Sequence, residues 1–432
     1  MSAGGADALH AEIRGRSRPL RGPADLDPVV DLARHRRFVA IGEASHGTHE
    51  YYEQRAALTR RLVEECGVSW IAVEGDWPDC WRVDRWVRGL AEPEADAARV
   101  LSGIRRWPTW LWANAETAAF LDRLRAWNAV RPPEQRTGFV GLDLYSLWDS
   151  LARVIGWLDE HRPEALPEAM EAWRCFAPFS EDPQRYAWST RLVPTSCETD
   201  VVDLLVAVRG ATAHDGDDAF DAAQNAEIVS RAERYYRAMV RTDRASWNIR
   251  DVHMAETVDR LARRTGPAAR GVIWAHNTHV GDARATSMAD QGLLNLGQLL
   301  RQRHDPGQVL LVGIAGHRGE VLAARGWGLP EERMPVPPGR RGDHEALLHD
   351  ALGGDAVIDL RRGAPGPWSR TRLGMRAIGV VHEPREDGGY VPTVMGARYD
   401  ALLWVEGTTA LRPLHHEPPP VEPELETAPS GV

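Results

Sequence analysis

Residues 38–76, FVAIGEASHGTHEYYEQRAALTRRLVEECGVSWIAVEGD, run from an apolar stretch at Phe38–Ile41 through a glycine-bounded polar turn and a helical stretch to a second apolar run at 70–73. Within 50–66 the apolar Leu58, Leu62 and Val63 recur at helical spacing. Strand, helix, strand in this order predicts a parallel pair with the helix on one face. Further apolar runs at 139–142, 272–275, 309–314, 357–360, 377–381 and 402–405 have the length and composition of strands buried on both faces, and 116–130 reads as another helix. The expected fold is α/β: a central, mainly parallel sheet flanked by helices.

After Tyr145 the strand signal stops, and 147–158, 167–177, 199–208 and 218–263 read as helix. A helical insertion between strands sits over strand ends, where it can wall a cleft and exclude water. The predicted organisation is an N-terminal extension (1–29) with a short helix near 6–14, a first part of the core (30–146), the helical lid (147–265), a second part of the core (266–415) and a disordered tail from 416. The tail reading rests on Pro418, Pro419, Pro420 and Pro423 among glutamates. A helix is expected at 283–303. The stretch 316–342, with Arg318, Arg325, Arg333, Arg340 and Arg341, is expected to be a loop bordering the cleft.

Composition narrows the partners. With 432 residues, 43% hydrophobic and 26% charged, the chain can bury a large core. Its formal charge of −10 is spread along the chain and offers no basic face, which argues against nucleic acid and membrane surfaces as partners. All 52 basic residues are arginine, so Schiff-base and P-loop lysine chemistry is unavailable. Cys66, Cys80, Cys175 and Cys197 form no C-x-x-C pair and read as reduced thiols. Together with the lack of a signal-like start or a membrane-length apolar run, they predict a cytoplasmic protein.

Loops after parallel strands are where open α/β sheets bind ligands. The first such turn holds Gly42, Glu43, Ser45, His46 and Gly47; the next strand ends in Glu74 and Asp76; the third in Asp143 and Tyr145; and Trp274-Ala275-His276-Asn277-Thr278-His279 follows the fourth. Histidine suits proton transfer near neutral pH, and a carboxylate can orient it. A capping turn with a structural Glu–His contact would use the same residues. Ser45 lacks the G-x-S-x-G surroundings of a nucleophile elbow. Arg55, early in the following helix, is a candidate for holding an oxyanion or a carboxylate. H-x-x-H without a helix is a weak zinc pattern. Arg250, Asp251 and Glu256 fit a charged helix face as well as a site. The tryptophans at 77, 81, 86, 107, 110 and 112 read either as core or as an aromatic cleft.

These motifs, with Asn248-Ile249-Arg250-Asp251, Met254-Ala255-Glu256 and Tyr399-Asp400-Ala401-Leu402, resemble the erythromycin esterase family, which includes succinoglycan biosynthesis homologues, over 37–414. The resemblance implies a sheet with flanking helices and a helical lid, and hydrolysis of an ester or macrolactone without an acyl-enzyme. It makes His46 the base that activates water, with Glu43, Glu74, His276 and Arg55 catalytic. His279, Asp76, Asp143, Tyr145 and Arg250 are the expected substrate-binding residues, and the partner is a small-molecule ester or lactone. No cofactor is expected. The alternatives are a hydrolase with a divalent metal held by Glu43, His46, Glu74 and a second histidine, an acyl-transfer or tailoring enzyme on the same site, and a non-catalytic binding protein of the haem-carrier kind.

Overall fold

A computed structural model describes residues 3–416 apart from 92–95, 180–181, 193–195, 213–215, 242 and 385–388. The predicted tail from 416 lies almost wholly outside the described residues. In chain order the strands are β1 (Ser17–Pro19), β2 (Phe38–Ile41), β3 (Val68–Asp76), β4 (Gly138–Asp143), β5 (Arg270–Trp274), β6 (Val309–Ala324), β7 (Glu331–Val336), β8 (Ala356–Asp359), β9 (Arg372–Arg376), β10 (Tyr390–Val394) and β11 (Ala401–Thr408). The main sheet has the order β1-β8-β11-β6-β2-β5-β3-β4, with β7 paired to β6. From β11 to β4 the strands are parallel, while β8, β1 and β7 pair antiparallel.

The mostly parallel sheet expected from the apolar runs is present. β2 is buried at every position, as its unbroken apolar run requires. The helix His49–Cys66 buries Leu58, Leu62 and Val63 and ends at Gly67, whose φ of 66° is the left-handed conformation that lets the chain turn directly into β3. β2 lies between β5 and β6, and the chain builds outward on both sides of it. This is a topological switch point, where the carboxyl ends of neighbouring strands leave a crevice.

Between β4 and β5 the helices Leu147–His161, Leu166–Phe176, Pro183–Leu192, Glu198–Ala211, Asp217–Met239 and Asp243–Thr265 follow one another. Leu147, Leu151, Leu204, Val208, Tyr235 and Tyr236 belong to an apolar cluster separate from the core around the sheet.

Several expectations are corrected. The single helix read over 218–263 is two helices, and Pro183–Leu192, amphipathic only weakly, was not foreseen. The run 377–381 is not a strand: Ile378 and Val381 make isolated bridges, because this segment crosses the ends of the sheet. The loop expected at 316–342 instead contains the outer half of β6 and all of β7, paired from Gly319–Val336 to Ala324–Glu331. The helix expected at 283–303 is broken into Ala283–Ala285, Ser287–Asp290 and Leu296–Arg303, with Thr286 and Asn295 capping the later pieces. Cys175 and Cys197 are not free thiols but form a disulfide; only Cys66 and Cys80 stay reduced. Their separation in sequence hid a pairing that helix packing makes. Among the described residues no helix is long and apolar enough to cross a membrane.

Candidate active site

The loop after β2 is held by main-chain bonds. Gly42 N–H donates to Val312 O, Asn277 N–H to Glu43 O and Ile378 N–H to Ala44 O, while Gly47 O accepts from both Leu322 and Leu411 N–H. A Cβ on Gly47 would stand 1.7 Å from Leu322 O, so only glycine admits this crossing. Ser45 Oγ shares a hydrogen bond with Thr48 Oγ1.

His46 Nδ1 lies 2.9 Å from Glu43 Oε1, and Glu43 Oε2 lies 2.9 Å from Arg55 Nη1. Glu43 as a carboxylate accepts from Nδ1–H, the tautomer that in a neutral ring has its lone pair on Nε2. Nε2 is 4.0 Å from Glu74 Oε1. Arg55 is fully buried among the rings of Tyr52, Trp112 and Trp274 and does not line the cavity. It stands behind Glu43 and outside the cavity, not where the sequence reading expected it to hold an oxyanion.

Glu74 at the end of β3 accepts His276 N–H through Oε2 at 2.7 Å and Arg250 Nη2 through Oε1 at 2.7 Å. Burial opposes its charge, but His279, Arg250 and His46 outweigh burial and hold its carboxyl well below the usual range. His276 is driven the other way: burial, then His46, holds its imidazole well below the usual histidine value and keeps it neutral. Its Nδ1 accepts from Thr278 N–H and touches Thr278 Oγ1 at 2.8 Å, so Nε2 carries the proton; that atom is buried and makes no well-aligned hydrogen bond, although the Ala44 main chain lies close enough to the ring to favour its charged form. The two rings, His46 and His276, lie 4.9 Å apart by centroid.

His279 is a cation. Burial alone would lower its pKa, but Asp251, with Oδ1 2.9 Å from Nδ1, and Glu74 outweigh burial and push it to about 9. Trp247 stacks on the ring at 4.6 Å. Arg250 Nη1 lies 3.0 Å from His279 Nε2, and the carboxylates of Asp143, Glu74 and Asp251 balance the two positive groups. Burial raises Asp251 against the pull of His279.

The crevice holds a cavity of about 130 Å³ lined by His46, Glu74, Asp76, Asp143, Tyr145, Arg250, His276 and His279, with Trp107, Trp112, Trp247 and Trp327 as walls. Four strand ends therefore converge on it. Asp76 is paired with Arg106, whose guanidinium lies 4.5 Å over the Tyr145 ring. Of the six tryptophans read as core or cleft, Trp107 and Trp112 line the cavity, whereas Trp77, Trp81, Trp86 and Trp110 belong to the core. Sequence reading passed over Trp247, Arg106 and Trp327, and left Asp251 open between a charged helix face and the site. Trp247 had a signal: Trp247, Asp251 and Met254 lie four and three residues apart, on one face of a helix. A larger groove of about 540 Å³ beside Ala56, Phe120 and Trp127 contains none of the predicted site residues.

The carboxylates are committed. Glu43 is taken by Arg55 and His46, and Glu74 by Arg250 and His276 N–H, which leaves at most the Nε2 atoms of His46 and, after loss or transfer of its proton, His276 to ligate an ion. Two nitrogens fall short of the three protein ligands typical of a catalytic zinc site, so the residues do not fit a divalent ion as arranged.

An open α/β sheet with a carboxylate-backed histidine facing a neutral one over its central strand ends defines a hydrolase-type site. The chain belongs to the erythromycin esterase family, whose model matches residues 63–408. That match starts beyond the Gly42–Thr48 turn. The chain is 20% identical over 410 residues to a Bacillus subtilis (strain 168) protein named "Putative hydrolase YbfO", covering 89% of this chain and 86% of that one. It shares its fold with a crystal structure of a succinoglycan biosynthesis protein (TM-score 0.77, 17% identity, 95% of this chain and 100% of the other). A mutant of the erythromycin esterase EreC in its open conformation is also similar (TM-score 0.63, 16% identity, 89% and 93%).

Proposed function

We propose that this protein hydrolyses a carboxylic ester or lactone with water activated by His46, without a covalent acyl-enzyme. The observation that carries the reading is the pairing of His46, its Nδ1 bound to Glu43 and its Nε2 free in the cavity, with a neutral His276 presenting an Nε2–H that makes no well-aligned hydrogen bond. His46 Nε2 takes a proton from water as the water oxygen attacks the carbonyl carbon. The carbonyl oxygen becomes an oxyanion and accepts from His276 Nε2–H. Collapse of the tetrahedral intermediate breaks the bond to the alcohol oxygen, which receives the proton from His46. Glu43 and Glu74 stabilise the transient imidazolium, Arg55 acts by holding Glu43, and Arg250 and His279 hold Glu74.

The cavity, at about 130 Å³, is below the roughly 300–1,000 Å³ common for drug-sized ligands, so this arrangement suits a small ester group or one edge of a larger lactone. We assign residues 147–265 the part of a lid. Its last helix also supplies Trp247, Arg250 and Asp251 to the site.

The test is mass-spectrometric detection of a gain of one water on a panel of simple esters, lactones and macrolides, with wild type and His46→Ala side by side, with and without chelator. Hydration by wild type alone, insensitive to chelator, is expected. Loss with chelator would transfer the water to a metal, and absence of turnover across the panel would remove the hydrolytic reading for these substrates.

A further inference from the structure

We propose that His317, His349 and Glu406 form a binding site for a divalent first-row transition ion, Zn²⁺ foremost, outside the catalytic cavity. His317 lies on β6 and Glu406 on β11, between the registered pairs Val405–Gly316 and Gly407–Arg318, so the two side chains leave neighbouring strands at the same level. The helix His344–Leu352 delivers His349. One ligand atom from each of the three residues lies within 4.8 Å of the others. The two imidazoles stack nearly parallel, 4.0 Å apart and 8° from coplanar, and His349 Nδ1 touches Glu406 Oε1.

Two features point to a ligand and not merely to a histidine–glutamate contact. His317 is only 5% exposed, yet its Nδ1 has no hydrogen-bond partner, and Glu406 Oε2 is likewise buried without one. A buried polar atom left unpaired is costly, and a bound cation would recover that cost. The side chains of His349 and Glu406 remain 39% and 25% exposed, so an ion and its waters have a path in.

The donor set chooses the ion. Two imidazoles and one carboxylate suit zinc, nickel, cobalt and copper, whereas calcium and magnesium require oxygen shells. An ion about 2.0–2.2 Å from each donor needs the set to contract, and rotation of the half-exposed His349 and Glu406 side chains supplies that movement. The neighbouring cations do not block it. Arg376 is engaged by His317 O, Pro337 O and Tyr390 Oη, and Arg318 is exposed. A bound ion would tie the helix to β6 and β11, and β6 runs on to Leu322, whose N–H holds Gly47 of the catalytic turn.

The test uses metal-stripped full-length protein titrated with Co²⁺, read by its visible d–d absorption, and with Zn²⁺ in competition. Wild type and His276→Asn, which alters only the catalytic cavity, are expected to take up one ion per chain. His349→Ala and Glu406→Gln, both at partly exposed positions, should bind at least tenfold more weakly while keeping the wild-type circular dichroism. Zn²⁺ should raise the thermal midpoint of wild type and leave that of His349→Ala unchanged. Equal binding by wild type and both site variants, loss of binding in His276→Asn, or no Co²⁺ uptake by wild type would each overturn the proposal.

Discussion

His46 and His276 are the same residue type given opposite tasks by their surroundings. A carboxylate on Nδ1 leaves His46 with an accepting Nε2, whereas a main-chain N–H on Nδ1 leaves His276 with a donating one. Removing the base in His46→Ala should lower turnover by about two to four powers of ten in a folded protein, while Ser45→Ala keeps most activity. Steady-state rates on a hydrolysed ester decide both. Arg55 carries a structural duty: Arg55→Met would leave Glu43 Oε2 buried without its cation, with only the His46 bond on Oε1 remaining. Urea unfolding should show a loss of about 3–5 kcal/mol. His279 sets a pH dependence. Its folded pKa of about 9 exceeds the roughly 6.5 of an unfolded chain, so its stabilisation is complete below pH of about 6.5 and is lost as pH rises through about 9. Stability measured across that window should fall in wild type, and this slope should be absent in His279→Gln.

At the scale of elements, strands buried on both faces were legible because nothing but an apolar run can occupy such a place. β2, β3, β4, β5 and β11 lie where their runs stood. The outer half of β6 and β7 were not legible: with Arg318 and Glu320 exposed, and Arg333 and Glu332 outward on β7, the pattern looks like a loop. The site was legible where chemistry ends a strand, as at Glu43, Glu74 and His276. It was hidden where a helix face does two jobs, as at Asp251, whose charge fits a solvated surface until His279 is seen beside it. The turn between β2 and its helix supplies the prediction at this scale. Gly47→Ala forces a methyl against Leu322 O and should reduce both the thermal midpoint and turnover. An alanine variant with wild-type melting and rate would contradict the crossing described here.

Across the whole molecule, two apolar clusters share one chain, one around the sheet and one among the helices of 147–240. The helical cluster carries the Cys175–Cys197 disulfide, which closes a loop of sequence separation 22. A cross-link of that length stabilises by about 3 kcal/mol through loss of unfolded-chain freedom. Reduction should therefore lower the melting of the helical part before that of the sheet, read by far-ultraviolet circular dichroism with and without reductant. Coincident and unchanged transitions would refute it.

The turn that carries His46 is gripped through peptide groups of Val312, Leu322, Ile378 and Leu411, none of which contributes its side chain to the grip. Any amino acid except proline can offer the same N–H, and every one offers the same C=O. The frame around His46 is thus nearly blind to mutation at those four positions. A lineage or a designer can rewrite the side chains of those segments without retuning the position of the histidine.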